Sequence, residues 1–292
     1  MLFNRVCKLE IGKPNKADLA FDECFRIIFD ISKSTTSDPK TSQIQVYNLS
    51  KETRVKLRTL VKQNNELLRS EDQQVLVYLY AGYKEYTGAE LLYSGNVASI
   101  SDKITPPDII TTITCSDNVN IYKRASVSLS YKPGASSKVI MEAIAKALKM
   151  PFDDASEFND ISFVNGFCFV GLAKDGMDNI AKQTGVLWTA ENGKIRVMPK
   201  NKSTNDSVIV LSANSGMINS PQKIESDGTD SDAPEIKDGW SVTSLLEPKL
   251  LPGRKVKIES KIINGLYTID SVEHKGDTTT GDWQSIIQTR EE

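Results

Sequence analysis

The chain has one histidine, His274. A serine–histidine or cysteine–histidine nucleophile, or a multi-histidine metal site, would have to be built on that ring. Asp277 and Asp282 are the nearby carboxylates that could orient it. They stand in His274-Lys275-Gly276-Asp277-Thr278-Thr279-Thr280-Gly281-Asp282. A turn explains such a Gly-, Asp- and Thr-rich stretch in full, with side chains capping backbone amides. Asp227-Gly228-Thr229-Asp230-Ser231-Asp232 carries oxygen ligands without the order of a calcium loop, in which glycine follows three alternating ligands and a glutamate closes the ring. It reads as a flexible solvated loop, and Glu235 does not restore the pattern. Cys7, Cys24, Cys115 and Cys168 form no Cys-x-x-Cys pair and fall in apolar or strand-like runs. They are expected as buried free thiols rather than disulfides or metal ligands. Lys174-Asp175-Gly176-Met177 lacks the spacing of a phosphate loop. The 38 acidic residues offer many glycosidase-like pairs, and nothing selects one. No catalytic residue, cofactor site or metal site is therefore predicted.

The elements that hold these residues come from composition and periodicity. At 292 residues, 39% hydrophobic and 25% charged, the chain is globular and long enough for two or three domains. With 36 basic and 38 acidic residues its net charge is −2, so it has no global attraction to nucleic acid or to an anionic membrane. No apolar run approaches the roughly 18 residues of a membrane span, and the first residues lack a signal-peptide core. Folding in a cytoplasm, without membrane insertion, is expected.

Residues 1 to about 118 read as a mostly β unit. Val6 to Ile11 is a strand, then Phe25, Ile27, Phe29 and Ile31 mark one buried face, and Ile44 and Val46 resume the alternation. Ser50 caps a helix with Val55, Leu57, Leu60 and Val61 on one side and the solvated cations Arg54, Lys56, Arg58 and Lys62 around it. Gln74 to Tyr83 is apolar on both faces, and Leu91 to Ile100 and Ile109 to Cys115 complete an antiparallel set. Residues 119–206 read as a small α+β unit. A helix capped by Ser136 or Ser137 has an apolar stripe of Val139, Ile140, Ala143, Ile144, Ala147 and Leu148. A second helix, Lys174 to Thr184, turns Met177, Ile180 and Ala181 inward and ends at Gly185. Short strands are expected at Ile161 to Phe163, Phe167 to Val170, Val186 to Thr189 and Lys194 to Met198. Residues 207–292 return to β. There Asn264-Gly265 predicts a type I′ turn between strands Val256 to Ile263 and Leu266 to Val272, and a last strand puts Trp283, Ser285 and Ile287 on one face.

These motifs carry a resemblance. Leu245 to Gly253, the Gly265-Leu266-Tyr267 strand, His274 to Thr278 and Gly281-Asp282-Trp283 resemble the C-terminal domain of phage baseplate hub proteins, the late control protein D family and the related hub of T-even phages. Phe25 to Ser34, Ile44 to Ser50 and Ala81-Gly82-Tyr83 resemble the N-terminal part of the same group, so the likeness runs through most of the chain in order. It implies an α+β, mainly β fold: two tail-tube-like β-barrel or sandwich domains, 1–118 and 207–292, bracketing an inserted α+β domain, 119–206.

The resemblance further implies a structural, non-enzymatic virion protein of a contractile tail, assembled in the host cytoplasm. Three copies would form a ring joining the hexameric tail tube protein to the central spike protein, beside other baseplate proteins. DNA would pass through its channel without specific binding. Related injection machines use similar hubs, and these residues do not separate the two. Two readings from other classes stand beside it. A tail-associated cell-wall hydrolase using Asp and Glu would show a carboxylate pair in a cleft. A carbohydrate-binding module would expose Trp188, Trp240 or Trp283.

Overall fold

The computed structural model describes residues 4–13, 16–35, 40–67, 75–86, 88–116, 125–153, 158–191, 194–200, 207–224 and 239–291. The chain forms two compact units, one of residues 1–34, 40–116 and 205–292, the other of residues 35–39 and 117–204. The Asp227 to Asp232 run and Glu235 lie outside the described residues.

The first unit opens with β1 (Arg5–Lys13), β2 (Lys16–Phe21), β3 (Ile27–Ser34) and β4 (Thr41–Tyr47). Helix α1 (Lys51–Leu67) follows, then β5 (Leu76–Tyr83), β6 (Gly88–Thr105) and β7 (Asp108–Ser116). The later residues add β14 (Ile209–Ser212), β15 (Gln222–Ile224), β16 (Gly239–Leu245), β17 (Lys255–Glu259), β18 (Asn264–Asp277) and β19 (Trp283–Glu291). They join one 13-stranded sheet, ordered β15-β16-β19-β18-β3-β4-β7-β6-β5-β1-β2, with β17 on β18 and β14 on β17. Among the described residues, β14–β17 is the only parallel pair of this sheet.

Two strands shape the sheet. β6 pairs β5 through Asn96 and β7 from Asn96 onward, with register shifts on both pairings, so one long strand turns the corner between two parts of the sheet. The inward faces of β1, β3, β4, β5, β6 and β7 then meet in a single core around Ile27, Phe29, Ile44, Leu79 and Ile113. Strands this far apart in the order can share one core only if the sheet curls. β18 is the second: β17 and β3 share one of its edges, at Asn264 to Thr268 and Ser271 to Asp277, while β19 takes the other. Through β18 both β-rich stretches of sequence enter one sheet, yet the later stretch keeps its own core of Leu211, Val242, Val256, Ile258 and Ile287.

Helix α1 starts where Ser50 Oγ accepts from the Thr53 amide at 3.1 Å. It buries Leu57 and Val61, with Leu60 partly covered. Val55, expected on that side, is 54% exposed. Residues two positions apart lie about 200° around a helix, so Val55 cannot share the face of Leu57. Strand β5 buries Val77, Leu79 and Ala81, whereas Leu76, Tyr78 and Tyr80 are half-buried rather than a second core face. Strand β2 and, in the second unit, the strand Ser126–Tyr131 were given by no periodicity, because each is short and mixed.

The expected hairpin before β18 forms, but its turn is elsewhere. Asn264 pairs with Glu259 and Gly265 with Ile258 inside the ladder. The loop is Ser260 to Ile263, where Ser260 Oγ accepts from the amides of Ile262 and Ile263 and the Ser260 amide donates to the Ile263 carbonyl. A serine hydroxyl that satisfies two loop donors outcompetes the backbone freedom of Asn-Gly.

The second unit packs two helices on short ribbons. These are β8 (Ser126–Tyr131), β9 (Ala135–Ser136), α2 (Ser137–Ala147), β10 (Ser162–Phe163), β11 (Phe167–Leu172), α3 (Ala173–Thr184), β12 (Val186–Glu191) and β13 (Lys194–Pro199). Ile140, Ile144, Met177, Ile180, Trp188 and Val197 form its core. On α2 the stripe is rotated from the expected one: Met141 and Ala145 are buried and Val139 is 51% exposed. Gly185 ends α3 at φ 68°, the left-handed position that favours glycine.

Candidate assembly surface

The residues that could do chemistry are used for structure. His274 lies in β18, fully buried, not in the turn. Its Nδ1 is 2.8 Å from Ser285 Oγ on β19, and that oxygen also accepts from the Glu247 amide at 3.0 Å. Burial pushes the His274 pKa down to about 3, the Lys33 ammonium adding to the effect and the Leu250 backbone opposing it. A serine–histidine contact of this length suits a nucleophile. Here both side chains are 0% exposed, and Asp277 points elsewhere.

Asp277 fastens the turn instead. Its Oδ1 accepts from the amides of Thr279 and Thr280, as expected, and Arg26 reaches both carboxylate oxygens at 3.3 and 2.7 Å. Burial opposes ionisation, but these donors outweigh it and hold the Asp277 pKa below its ordinary value. Arg5 donates to the carbonyls of Asp277 and Gly281 at 2.7 and 2.9 Å and lies over the Trp283 ring. Thr278 Oγ1 accepts from the Ile27 amide. The turn of the sequence motif is thus a clasp that fixes β18 and β19 to β1 and β3. Beneath it Phe29 packs edge-on to Trp283, and an added Cβ on Gly276 would lie 2.2 Å from Phe29 Cζ.

The tryptophans are spent on cores, Trp188 and Trp283 buried and Trp240 half-buried, which removes the signal for sugar binding. Cys7 and Cys115 are buried as expected, and burial pushes Cys7 up to about 12. Cys24 and Cys168 are exposed, since one falls between β2 and β3 and the other on the solvent side of β11. All four are free thiols. Among the described residues no group of three or more His, Cys, Asp or Glu could hold a metal ion.

The broad solvent face of the sheet is the surface that sequence reasoning missed. Following the register across six strands gives Gln284, Lys275, Asp30, Gln43, Thr114 and Ser99. A neighbouring line gives Ile28, Gln45, Thr112 and Ser101. Three of its cations have carboxylate partners: Lys275 is 2.9 Å from Glu273, Arg290 is 2.8 Å from Asp270 and Arg26 is 2.7 Å from Asp277, while Lys103 on β6 is exposed. Burial, with Glu273 beside it, raises the Asp30 pKa. The signal was present in Gln43-Ile44-Gln45-Val46 and Thr112-Ile113-Thr114-Cys115, whose polar positions are all uncharged. Which of them align was visible only in the register.

The edges differ in character. Ser215 Oγ donates to the Val210 carbonyl at 2.7 Å and accepts from the Ser212 amide at 2.8 Å, so one hydroxyl occupies backbone groups that a further strand beside β14 would use. β15 and β2 end the strand order, each paired on one side among the described residues.

A family model described as baseplate hub gp41 matches residues 7–277. No curated protein matches the sequence. Among solved structures, the chain is similar to a tail protein from Neisseria meningitidis MC58, with TM-score 0.64, 8% identity, and 99% of this chain and 97% of that one covered. It is similar to the 43 kDa tail protein of prophage MuSo2 from Shewanella oneidensis, with TM-score 0.62, 10% identity and 97% of each chain covered. An E. coli component of the type VI secretion system aligns with TM-score 0.59 and 8% identity, over 97% of this chain and 76% of that one. At such identities these likenesses show the fold.

Proposed function

Because this chain belongs to the baseplate hub gp41 family, a structural component of the phage tail baseplate, we propose that three copies form a ring joining the tail tube to the central spike around a channel for the genome. One observation carries this reading. The chain holds two β-rich parts, each with its own hydrophobic core, fused into one sheet through β18. Three such chains present six sheet sectors, which matches a threefold spike to a hexameric tube. In this reading 1–118 and 207–292 act as tube-like domains and 119–206 as the inserted domain. The role is mechanical and positional, in the virion baseplate after assembly in the host cytoplasm. The sealed Ser285–His274 pair supports a role without catalysis.

The mass in solution tests it, by size exclusion with light scattering at several concentrations. Three chains of 32.3 kDa give 3 × 32.3 = 96.9 kDa. A species of that mass for the chain alone, or a heavier complex holding three copies once tube and spike partners are added, is expected. A chain that stays monomeric with both partners present ends the reading, and wall-hydrolysis and sugar-binding assays take its place.

A further inference from the structure

Resting on the chain's place in the baseplate and not on a ring of three copies, we propose that the exposed side of α1 is a docking surface for an acidic helix of a second protein. Residues 51–62 hold five cations, Lys51, Arg54, Lys56, Arg58 and Lys62, against one carboxylate, Glu52. At about 100° per residue, Lys51, Val55, Arg58 and Lys62 fall within about 60° of one another around the axis, turned away from the buried Leu57 and Val61. They form one exposed stripe about 16 Å long, with Val55, 54% exposed, near its middle. Like charges four residues apart weaken a helix. The sheet relieves one such pair, since Asp102 on β6 lies 3.2 Å from Arg54 and 2.6 Å from Arg58. Arg58 and Lys62 repeat the spacing on the solvent side, where a partner's carboxylate would act as Asp102 does. Lys56 is turned to the flank and donates to the Asp18 carbonyl at 2.8 Å. The stripe therefore sets cations on either side of an apolar centre, the arrangement by which paired helices place opposite charges beside a hydrophobic seam. DNA suits it less: about 16 Å of helix meets only a few phosphates, Val55 offers them nothing, and the chain's net charge is −2.

The test is a full-length Lys51→Glu, Lys62→Glu variant, supplied to tails in place of the wild-type chain, with Lys51→Arg, Lys62→Arg as the control that keeps the charge. Both positions are exposed, and Arg58 is left in place to hold Asp102. A second variant, Val55→Asp, puts a carboxylate in the stripe without removing a cation. The purified variants should melt like the wild type by circular dichroism and keep its mass by light scattering. Completed tails should fall by about tenfold or more with either acidic variant, because like charges meet across the contact, and stay normal with the arginine control. Revertants selected for restored tails should carry Lys or Arg in place of Asp or Glu in another protein. Normal tails with both acidic variants overturn the proposal. So do tails restored only by changes within this chain. Normal tails that fail to deliver DNA overturn it in favour of a nucleic-acid contact, and a changed mass of the purified chain does so in favour of a contact between copies. Absence of the wild-type chain from assembled tails is the separate result that removes the hub reading itself.

Discussion

Replacing His274 with Asn should change how stability depends on pH, by an amount the structure sets. Asn keeps a polar atom where Nδ1 meets the Ser285 hydroxyl and removes the titrating ring. In the wild-type chain burial, aided by Lys33, lowers this group from 6.5 to about 3. It is the only histidine, so near pH 6.5 the unfolded chain takes up a proton that the folded chain refuses until about pH 3. Between those values the unfolded state binds more protons, and stability falls as pH falls, by at most about 1.4 kcal/mol per pH unit. Above 6.5 nothing is lost; at pH 5 the loss is about 2 kcal/mol. The Asn variant starts less stable at pH 7 by about 1–3 kcal/mol, because the smaller side chain leaves space. The gap between the two chains should then narrow by about 2 kcal/mol between pH 7 and pH 5. Urea denaturation followed by circular dichroism at closely spaced pH values measures it, and the carboxylates common to both chains cancel in the difference. Parallel curves would refute the reasoning, since they require a ring that titrates alike in the folded and unfolded chains.

Four further outcomes follow from other contacts. Gly276→Ala forces a methyl into the Phe29 ring and should cost about 2–3 kcal/mol in the same denaturation assay; an unchanged midpoint would show that the ring moves aside freely. Asp102→Ala removes the partner of Arg54, Arg58 and Thr111 and should cost about 2–3 kcal/mol, with amide exchange in α1 rising before that in β7. Asp277→Ala releases the Thr279 and Thr280 amides and Arg26; because Arg26 is 38% exposed, the expected loss is only about 1–2 kcal/mol. A thiol reagent should modify two cysteines, Cys24 and Cys168, in the folded chain and all four after unfolding, and rapid modification of Cys7 or Cys115 would contradict their burial.

The sequence displayed what depends on one strand or helix at a time. The faces of β3 and β19, the Ser50 cap and the Gly185 stop were legible because alternation and capping are local. Val55 and Val139 were misplaced because an apolar residue on a helix announces its type, not its angle to a core that other segments build. The same limit hid the loop at Ser260, where a hydroxyl outbids an Asn-Gly pair, and the exposure of Cys24 and Cys168. The His274 to Trp283 motif was visible, but its purpose was not. Arg5 and Arg26, more than 250 positions earlier in the chain, make the clasp, and no spacing rule links residues so far apart.

The shared edge of β18 also decides how a load would travel. Seven consecutive pairs, Ser271 with Ser34 through Asp277 with Ile28, join the two β-rich parts in antiparallel register. A pull along the strand axis stretches all seven rungs at once, whereas a pull across it opens them singly from one end. The fusion is therefore stiff in shear and weak in peel. Arg5, Arg26 and Thr278 pin the Asp277 end, so one of the two ends from which peeling can start is already tied down.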